Sequence, residues 1–226
     1  MTQSLNEILN VIKTLAYDKR KDMYVKQGVK EEILGVNLGD LRKIAEKNKT
    51  NHELALQLWD TNIYEARVIA CKLFDSKLLN IDELSRLIRS TESGPVIDEL
   101  SFQIFEFLDN QLELFNSWVY SDEPRFKRAG WNMGIILNHD SKLNEEKLNE
   151  ILDYIDNNLS LATNIYQFAM NRCLSEIGIK HDHLTERCVS IGEKHGVYKE
   201  MKVSKGCTSP YAPIWISVVR KKNNKS

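Results

Sequence analysis

The chain has 226 residues, of which 42% are hydrophobic, so it can bury a continuous core and is not intrinsically disordered. Its 31 Lys and Arg nearly cancel its 32 Asp and Glu, so the bulk charge does not indicate a nucleic-acid or membrane partner. Ten Gly and four Pro are too few for a loop-rich all-β protein. No apolar run approaches the roughly 18 residues of a membrane span.

Apolar residues recur at helical spacing from one end of the chain to the other. The first stripe covers residues 5–15, and a second helix is predicted from 18 to about 27. Asn51 and Asn62 are predicted to cap two further helices. Later stripes lie in LGDLRKIAEK, IDELSRLI, PVIDELSFQIFEFL, QLELFNSWVY, PRFKRAGWNMGIIL, LNEEKLNEILDYID, ATNIYQFAMNRCLSEIG, LTERCVSIGEKHG and PYAPIWISVVRKK. Because no segment alternates apolar and polar residues, the sequence predicts an all-α protein.

The lengths and short connections of these helices indicate a repeat architecture. Helices of this kind form successive antiparallel pairs about every 35–45 residues, the period of HEAT-like repeats. Each pair has to stack on its neighbours to bury its apolar stripe. We therefore expect one HEAT-like repeat domain over residues 1–226, with N-terminal capping helices in 1–34 and a loop, short helix and basic tail in 197–226. A compact irregular bundle is the alternative.

Charge is unevenly distributed along the chain. Residues 19–49 carry nine basic and five acidic side chains, and residues 180–226 carry ten basic and four acidic ones. Residues 90–124 carry eight acidic and no basic side chains. Basic flanks of this kind are typical of a groove that binds a polyanion, although charged residues also simply solvate outer helix faces.

Four segments carry recognisable motifs in a fixed order. The first is GV-x-x-x-x-LR-x-IA, preceded by MYVKQGVKEE, and the second is ELALQLWDTNIYEARVIACKLFD, where an E-x-R-x-x-A helix follows a Leu-Trp helix. The others are RFKRAGWNMGIIL and FAMNRCLSEIG. Together, over roughly residues 5–220, they resemble the DNA alkylation repair family of HEAT-like repeat glycosylases.

The resemblance implies a C-shaped α-solenoid whose concave basic face cradles duplex DNA. It also implies hydrolysis of the glycosidic bond of 3- or 7-alkylated purines. Such a base already carries positive charge and leaves readily, so the protein has to supply an anion near the sugar and a positioned water. Aromatic rings beside the anion would contact the cationic nucleotide.

The resemblance places the catalytic carboxylate of the family on Asp98, in SGPVIDEL. Gly94 stands where the family has Trp, and Arg172 stands at its second Trp position. Arg128 matches an Arg that would bind phosphate, although it could instead pair with Asp98 or with Glu99 and Glu106. Ser175 replaces a further Arg of the family. Loss of both Trp residues favours DNA binding over base excision.

Other side chains are predicted to complete the DNA interface. Trp131, Tyr166 and Phe168 could replace the missing aromatic walls. The expected phosphate contacts, besides Arg128 and Arg172, are Arg42, Lys43, Lys202 and Lys205.

The Cys and His residues do not predict a metal site. Cys71 and Cys173 lie on apolar helix faces and are expected to be core thiols. Five further Cys and His residues near the C-terminus do not have the spacing of a common zinc site. They are His181, His183, Cys188, His195 and Cys207. We expect no metal and no cofactor.

Three functions remain open at this stage. The first is a DNA-binding protein related to alkylpurine glycosylases, with Asp98 as electrostatic stabiliser and Arg128 on phosphate. The second is a non-catalytic module that binds DNA backbone or branched DNA, and the third is a protein-interaction scaffold. The N-terminus MTQSLNEILN lacks the features of a secretory signal, and single Cys residues suit a reducing compartment. We therefore expect a cytoplasmic monomer that binds duplex DNA and no membrane.

Overall fold

The computed structural model describes residues 3–203 and 206–223, which form thirteen α-helices and no β-strand. The prediction of an all-α protein is confirmed. The β-type pairing within these ranges is a single isolated bridge between Glu32 and Ile63. Packing divides the chain into two units, residues 1–110 and 111–226.

The first unit contains seven α-helices within the described residues. They are α1 (Leu5–Thr14), α2 (Asp18–Lys26), α3 (Leu38–Asn48), α4 (His52–Asp60), α5 (Tyr64–Leu73), α6 (Ile81–Arg89) and α7 (Gly94–Ile104), followed by a 3-10 turn at Phe105–Phe107.

Helix α5 is the centre of the first unit. All of its residues except Lys72 are buried, and it packs against α3, α4 and α7. Helix α2 is the opposite case, because Tyr24 is the one residue that it buries. Burial of an apolar face is the main source of helix stability in proteins. The unit is therefore organised around α5, and α2 attaches to it through Tyr24, whose ring lies 4.7 Å from that of Tyr64.

Two charged residues of α5 join it to neighbouring segments. Glu65, 0% exposed, accepts hydrogen bonds from the backbone N–H groups of residues 34, 35 and 36 at 3.0, 2.6 and 3.1 Å. Arg67 donates to the Trp59 carbonyl at 3.1 Å, and its guanidinium lies 5.0 Å from the Trp59 ring centroid. The E-x-R motif thus connects α5 to the loop before α3 and to the Leu-Trp helix α4.

The predicted cap at Asn62 is wrong. Helix α5 begins after Ile63, which offers no side-chain cap, and Asn62 has a left-handed backbone with φ of 56°. The backbone pairs here with Glu32, whose N–H donates to the Asn62 carbonyl and whose carbonyl accepts from the Tyr64 N–H. This contact orders the segment without a side-chain cap. The cap predicted at Asn51 is confirmed, since its side chain accepts from the Leu54 N–H at 3.2 Å.

The second unit contains six α-helices within the described residues. They are α8 (Gln111–Val119), α9 (Pro124–His139), α10 (Glu145–Asn158), α11 (Asn164–Lys180), α12 (Thr185–His195) and α13 (Ala212–Asn223), with 3-10 turns at Leu159–Leu161 and Asp182–Leu184.

Helices α9 and α11 form the core of the second unit. They pack against each other, with α8 on the side of α9 and with α12 and α13 on the side of α11. Gly130 permits the close approach of α8, because a Cβ there would lie 2.8 Å from the Val119 nitrogen. Across the described residues, no helix is long and apolar enough to span a membrane.

Candidate nucleic-acid interface

Asp98, the predicted catalytic residue, lies in the first turns of α7. Pro95 occupies the start of this helix, where its missing N–H costs nothing. Val96, Ile97 and Leu100 are buried, whereas Asp98 is half-buried. The apolar face of α7 therefore points into the core and Asp98 lies at its margin.

A second carboxylate, Glu99, lies beside Asp98. Burial raises the pKa of Glu99, and the charge of Asp98 raises it further, while the positive charges of Lys72 and Arg42 lower it. Glu99 thus lies within electrostatic range both of Asp98 and of one of the predicted phosphate ligands, Arg42. The sequence predicted Glu99 only as a possible partner of Arg128, and it did not predict Lys72 as part of this site.

Helix α3 carries two of the predicted phosphate ligands. These two residues, Arg42 and Lys43, are both exposed. Lys43 forms a 3.2 Å ion pair with Asp40 one turn earlier, a surface contact that contributes little to stability. Gly94, at the position where the family has Trp, is buried at the first residue of α7.

Arg128, the predicted phosphate ligand of the second unit, is only 5% exposed. Its guanidinium donates a 2.5 Å hydrogen bond to the Ile165 carbonyl at the start of α11 and lies 5.9 Å from the ring centroid of Phe168. It also lowers the pKa of Tyr198, which burial raises. Arg128 therefore fixes the N-terminal turns of α11 and contributes positive charge beneath the rings around it.

Further aromatic rings and a second cation lie around Arg128. The Lys127 ammonium lies 5.4 Å from the ring centroid of Tyr166, within the range of a cation–π interaction. The ring of Phe168 contacts Tyr198 at 5.9 Å and Trp215 at 6.4 Å between centroids. All of these side chains except Arg128 are half-buried. We refer to this group as the cationic–aromatic cluster; its members are Lys127, Arg128, Tyr166, Phe168, Tyr198 and Trp215.

Helices α9, α11 and α13 position this cluster, together with the segment after α12. Gly196 ends α12 in a left-handed conformation, and Tyr198 follows with φ of 64°. Asn171 holds the chain farther on by donating to the Pro210 carbonyl at 2.8 Å. Sequence analysis missed Lys127, Tyr198 and Trp215. Lys127 adjoins the predicted Arg128, which was the available signal.

The other predicted aromatic residue, Trp131, belongs to the core. It is 1% exposed, and its ring lies 6.2 Å from Phe115 and 5.6 Å from Tyr154. A bound ligand could not reach it without rearrangement of α9. Tyr166, in contrast, is half-buried on α11 and belongs to the cationic–aromatic cluster.

Arg172 lies farther along α11 and is 31% exposed at its side chain. Its Nε atom is 3.6 Å from a carboxylate oxygen of Glu176, and the other oxygen of Glu176 lies 3.3 Å from His139. Ser175, the other departure from the family pattern, is fully buried and donates to the Asn171 carbonyl at 3.0 Å.

Lys202 is exposed in the segment between α12 and α13, and Lys205 lies outside the described residues. Across residues 3–203 and 206–223, no three His, Cys, Asp or Glu side chains are grouped to share a metal ion. Cys71 and Cys173 are buried at 1% and 0% exposure, which confirms them as core thiols. Burial also raises the pKa of Cys188 to about 12, whereas Cys207 is exposed.

The His residues of the same region bind acidic or amide groups. His183 lies 3.0 Å from Glu145, and His181 lies 2.8 Å from the side-chain oxygen of Asn138. His195 donates through Nε2 to the Asp156 carbonyl, 3.0 Å away. Burial lowers the pKa of His181. These contacts are structural links between helices.

Comparisons with known proteins place the chain in a family. A match to the family described as DNA alkylation repair enzyme covers residues 5–216. No curated protein matches the sequence significantly. One solved structure, of "a new family of proteins related to the HEAT-like repeat DNA glycosylases with affinity for branched DNA structures", aligns with a TM-score of 0.79 and 21% identity over 99% of this chain and 95% of that one.

The likeness of the two folds confirms the predicted HEAT-like repeat architecture. The family match extends over nearly the whole length, including α7 with Asp98 and the helices of the cationic–aromatic cluster. The chain therefore belongs to the DNA alkylation repair enzyme family.

Proposed function

We propose that the protein binds DNA and that the cationic–aromatic cluster of the second unit forms part of the binding surface. The observation that carries this proposal is the pairing of cations with half-exposed rings, Lys127 with Tyr166 and Arg128 with Phe168. Cations attract phosphates, and flanking rings contact sugars and bases. Lys127 contacts phosphate, while Arg128 holds the rings and adds positive charge.

The properties of its relatives support this assignment. The family is one of DNA repair enzymes, and the structurally similar protein has affinity for branched DNA. Exposed cations of the first unit, Arg42 and Lys43, add to the charge available for phosphates. Lys202 and Lys205 are the proposed contacts of the segment before α13. The protein acts as a monomer on duplex or branched DNA in the cytoplasm, where its four free cysteines remain reduced.

Salt-dependent binding tests the proposal. The affinity for a labelled duplex and for a four-way junction should fall steeply as salt rises, because neutralised phosphates release counterions. Lys127→Glu should weaken binding about tenfold and reduce the salt slope by about 1 or more. Lys77→Glu makes the same charge change at an exposed position in the first unit and should have a smaller effect. If the wild type does not bind DNA, the proposal is wrong and a protein-interaction scaffold is the remaining function.

Base excision is the second candidate function. Asp98 is half-buried beside Glu99, whose charge interacts with those of Asp98, Lys72 and Arg42. An aspartate in such a place can stabilise the positive charge that develops on deoxyribose and orient a water molecule. Excision would use 3- or 7-alkylated purines, whose leaving groups need little activation.

Release of 7-methylguanine from alkylated duplex DNA separates the two candidates. If the protein excises bases, Asp98→Asn should slow base release at least about 100-fold. This is the usual rate loss when one electrostatic contact to the transition state is removed. DNA affinity and thermal stability should stay close to those of the wild type. Wild-type protein that binds DNA without releasing base would be a non-catalytic binding module.

A further inference from the structure

Three tyrosines of the second unit lie near one another, one directly after α8 and one each on α10 and α11. Tyr120 follows α8 directly, Tyr154 lies on α10 and Tyr166 lies near the start of α11. The rings of Tyr120 and Tyr154 are 5.4 Å apart between centroids. Burial raises the pKa of Tyr154, and the charges of Tyr166 and Tyr120 raise it further, so both lie within electrostatic range of Tyr154. We refer to these three residues as the tyrosine row.

The rings of this row are accessible to a ligand. Tyr120 is 55% exposed, a large fraction for an aromatic side chain, and the other two are half-buried. Tyr120 and Tyr154 meet at an interplanar angle of 82°. In such an edge-to-face pair, the ring that presents its edge keeps both of its own faces clear of its partner. A flat ligand can therefore stack on Tyr120, the most exposed ring of the row, whereas Tyr154 also packs against Trp131 at 5.6 Å between centroids.

The charges around the tyrosine row suit an anionic ligand. Lys127 lies over Tyr166 and connects the row to the cationic–aromatic cluster. Three acidic residues of α10 could repel phosphates, but each is held in a short ion pair. The pairs are Lys147–Glu150 at 2.6 Å, Arg187–Asp153 at 2.6 Å and Lys194–Asp156 at 2.8 Å.

We propose that the tyrosine row binds unpaired nucleotides, whose bases stack on its rings while Lys127 holds the adjoining phosphate. This inference rests on the proposed DNA-binding function and specifies the part of a branched DNA that the second unit recognises. Bases in a duplex present only their edges, whereas unpaired bases near a branch expose the flat faces that aromatic side chains stack upon. A row of rings next to a cation is the arrangement that single-stranded nucleic acid binds.

Fork DNA with two unpaired arms, compared with a fully paired duplex of equal length, tests the inference. The wild type should bind the fork about tenfold more tightly, and 2-aminopurine placed in an arm should change its fluorescence on binding. Tyr120→Leu should remove most of this preference and the fluorescence change, with duplex affinity unaltered. Tyr120→Phe should retain both, because stacking requires the ring and not the hydroxyl group.

Tyr17→Leu is the matched control, since Tyr17 is 53% exposed in the first unit. The melting temperature of each variant shows whether it is folded, and an exposed position such as residue 120 should tolerate Leu. Equal binding of fork and duplex, or a fork preference that survives Tyr120→Leu, overturns the inference while leaving duplex binding intact. Loss of binding to every DNA would overturn the proposed function itself.

Discussion

At the scale of single residues, buried charges hold the first unit together. Glu31 is 7% exposed and accepts hydrogen bonds from Arg67 at 2.8 Å and from the hydroxyls of Thr91 and Ser93. A buried carboxylate is stable only when such partners replace its water. This network links the loop before α3 to the central helix α5 and to the segment before α7. It thereby sets the position from which α7 presents Asp98.

The stability of the protein should depend on pH through Glu31. Burial alone would raise its pKa, but the hydrogen bonds of Ser93 and Thr91 and the charge of Arg67 outweigh burial, so the pKa is lowered. A folded-state pKa below the unfolded value of about 4.3 stabilises the protein above that pH, and this stabilisation is lost as the pH falls through the folded-state pKa.

Urea unfolding of Glu31→Gln at several pH values measures this contribution. At pH 7 the variant should lose about 3–5 kcal/mol, because removal of the charge leaves Arg67 buried without its partner. Its free energy of unfolding should also fall less than that of the wild type on acidification. Glu46→Gln, at an exposed position, serves as control. Identical pH dependence in wild type and Glu31→Gln would contradict the assignment.

At the scale of helices, the packing of the second unit depends on how closely α8 and α9 approach each other. Helices α8 and α9 cross at Gly130, where a Cβ would lie 2.8 Å from the Val119 nitrogen and 3.0 Å from the Trp118 carbonyl carbon. These are backbone atoms, so a rotamer change cannot make room. The crossing also positions the proposed DNA contacts, because α9 presents Lys127 and Arg128 while Tyr120 follows α8.

Gly130→Ala should therefore destabilise the second unit by about 1–3 kcal/mol, the usual cost of overpacking. Helix propensity alone predicts the opposite sign, a gain of about 1 kcal/mol. Thermal unfolding of the variant decides between the two signs. Ser117→Ala, on the exposed side of α8, is the control and should change the stability by no more than about 0.5 kcal/mol. A variant more stable than the wild type would show that the helices can separate at little cost.

At the scale of the whole molecule, the proposed DNA binding requires a chain of near-zero net charge to attract a polyanion. The fold keeps cations at separate places, α3 in the first unit and the cationic–aromatic cluster in the second. Three acidic side chains of α10, those of Glu150, Asp153 and Asp156, pair with cations on α10 and α12. Local charge, and not the formal total of −1, determines affinity for DNA.

The prediction of a single repeat domain gives an expectation for unfolding. Stacked repeats bury their apolar stripes against neighbours, so the chain should unfold in one cooperative transition. Trp59 is the tryptophan of residues 1–110, and the other three lie in residues 111–226, so fluorescence chiefly follows the second unit. Far-UV circular dichroism follows all helices, and its midpoint in urea should coincide with that of fluorescence. Separate midpoints would show that the two units unfold independently.

The sequence by itself determined the all-α fold and the order of the helices, because the apolar period of a helix is a local property of the chain. Four ordered motifs also indicated the family. The cap at Asn62 could not be judged correctly, since a backbone contact with Glu32, thirty positions away in the chain, replaces it.

Only the tertiary structure decided which side chains meet. It buried Trp131 and Arg128, paired Lys127 with Tyr166, and put Glu99 within range of Lys72 and Arg42. Periodicity indicates which face of a helix is apolar, but the packing of other helices determines which margin of that face stays open to a ligand. The surroundings of a charge or ring depend on residues from other helices. A local sequence pattern cannot predict which residues these are.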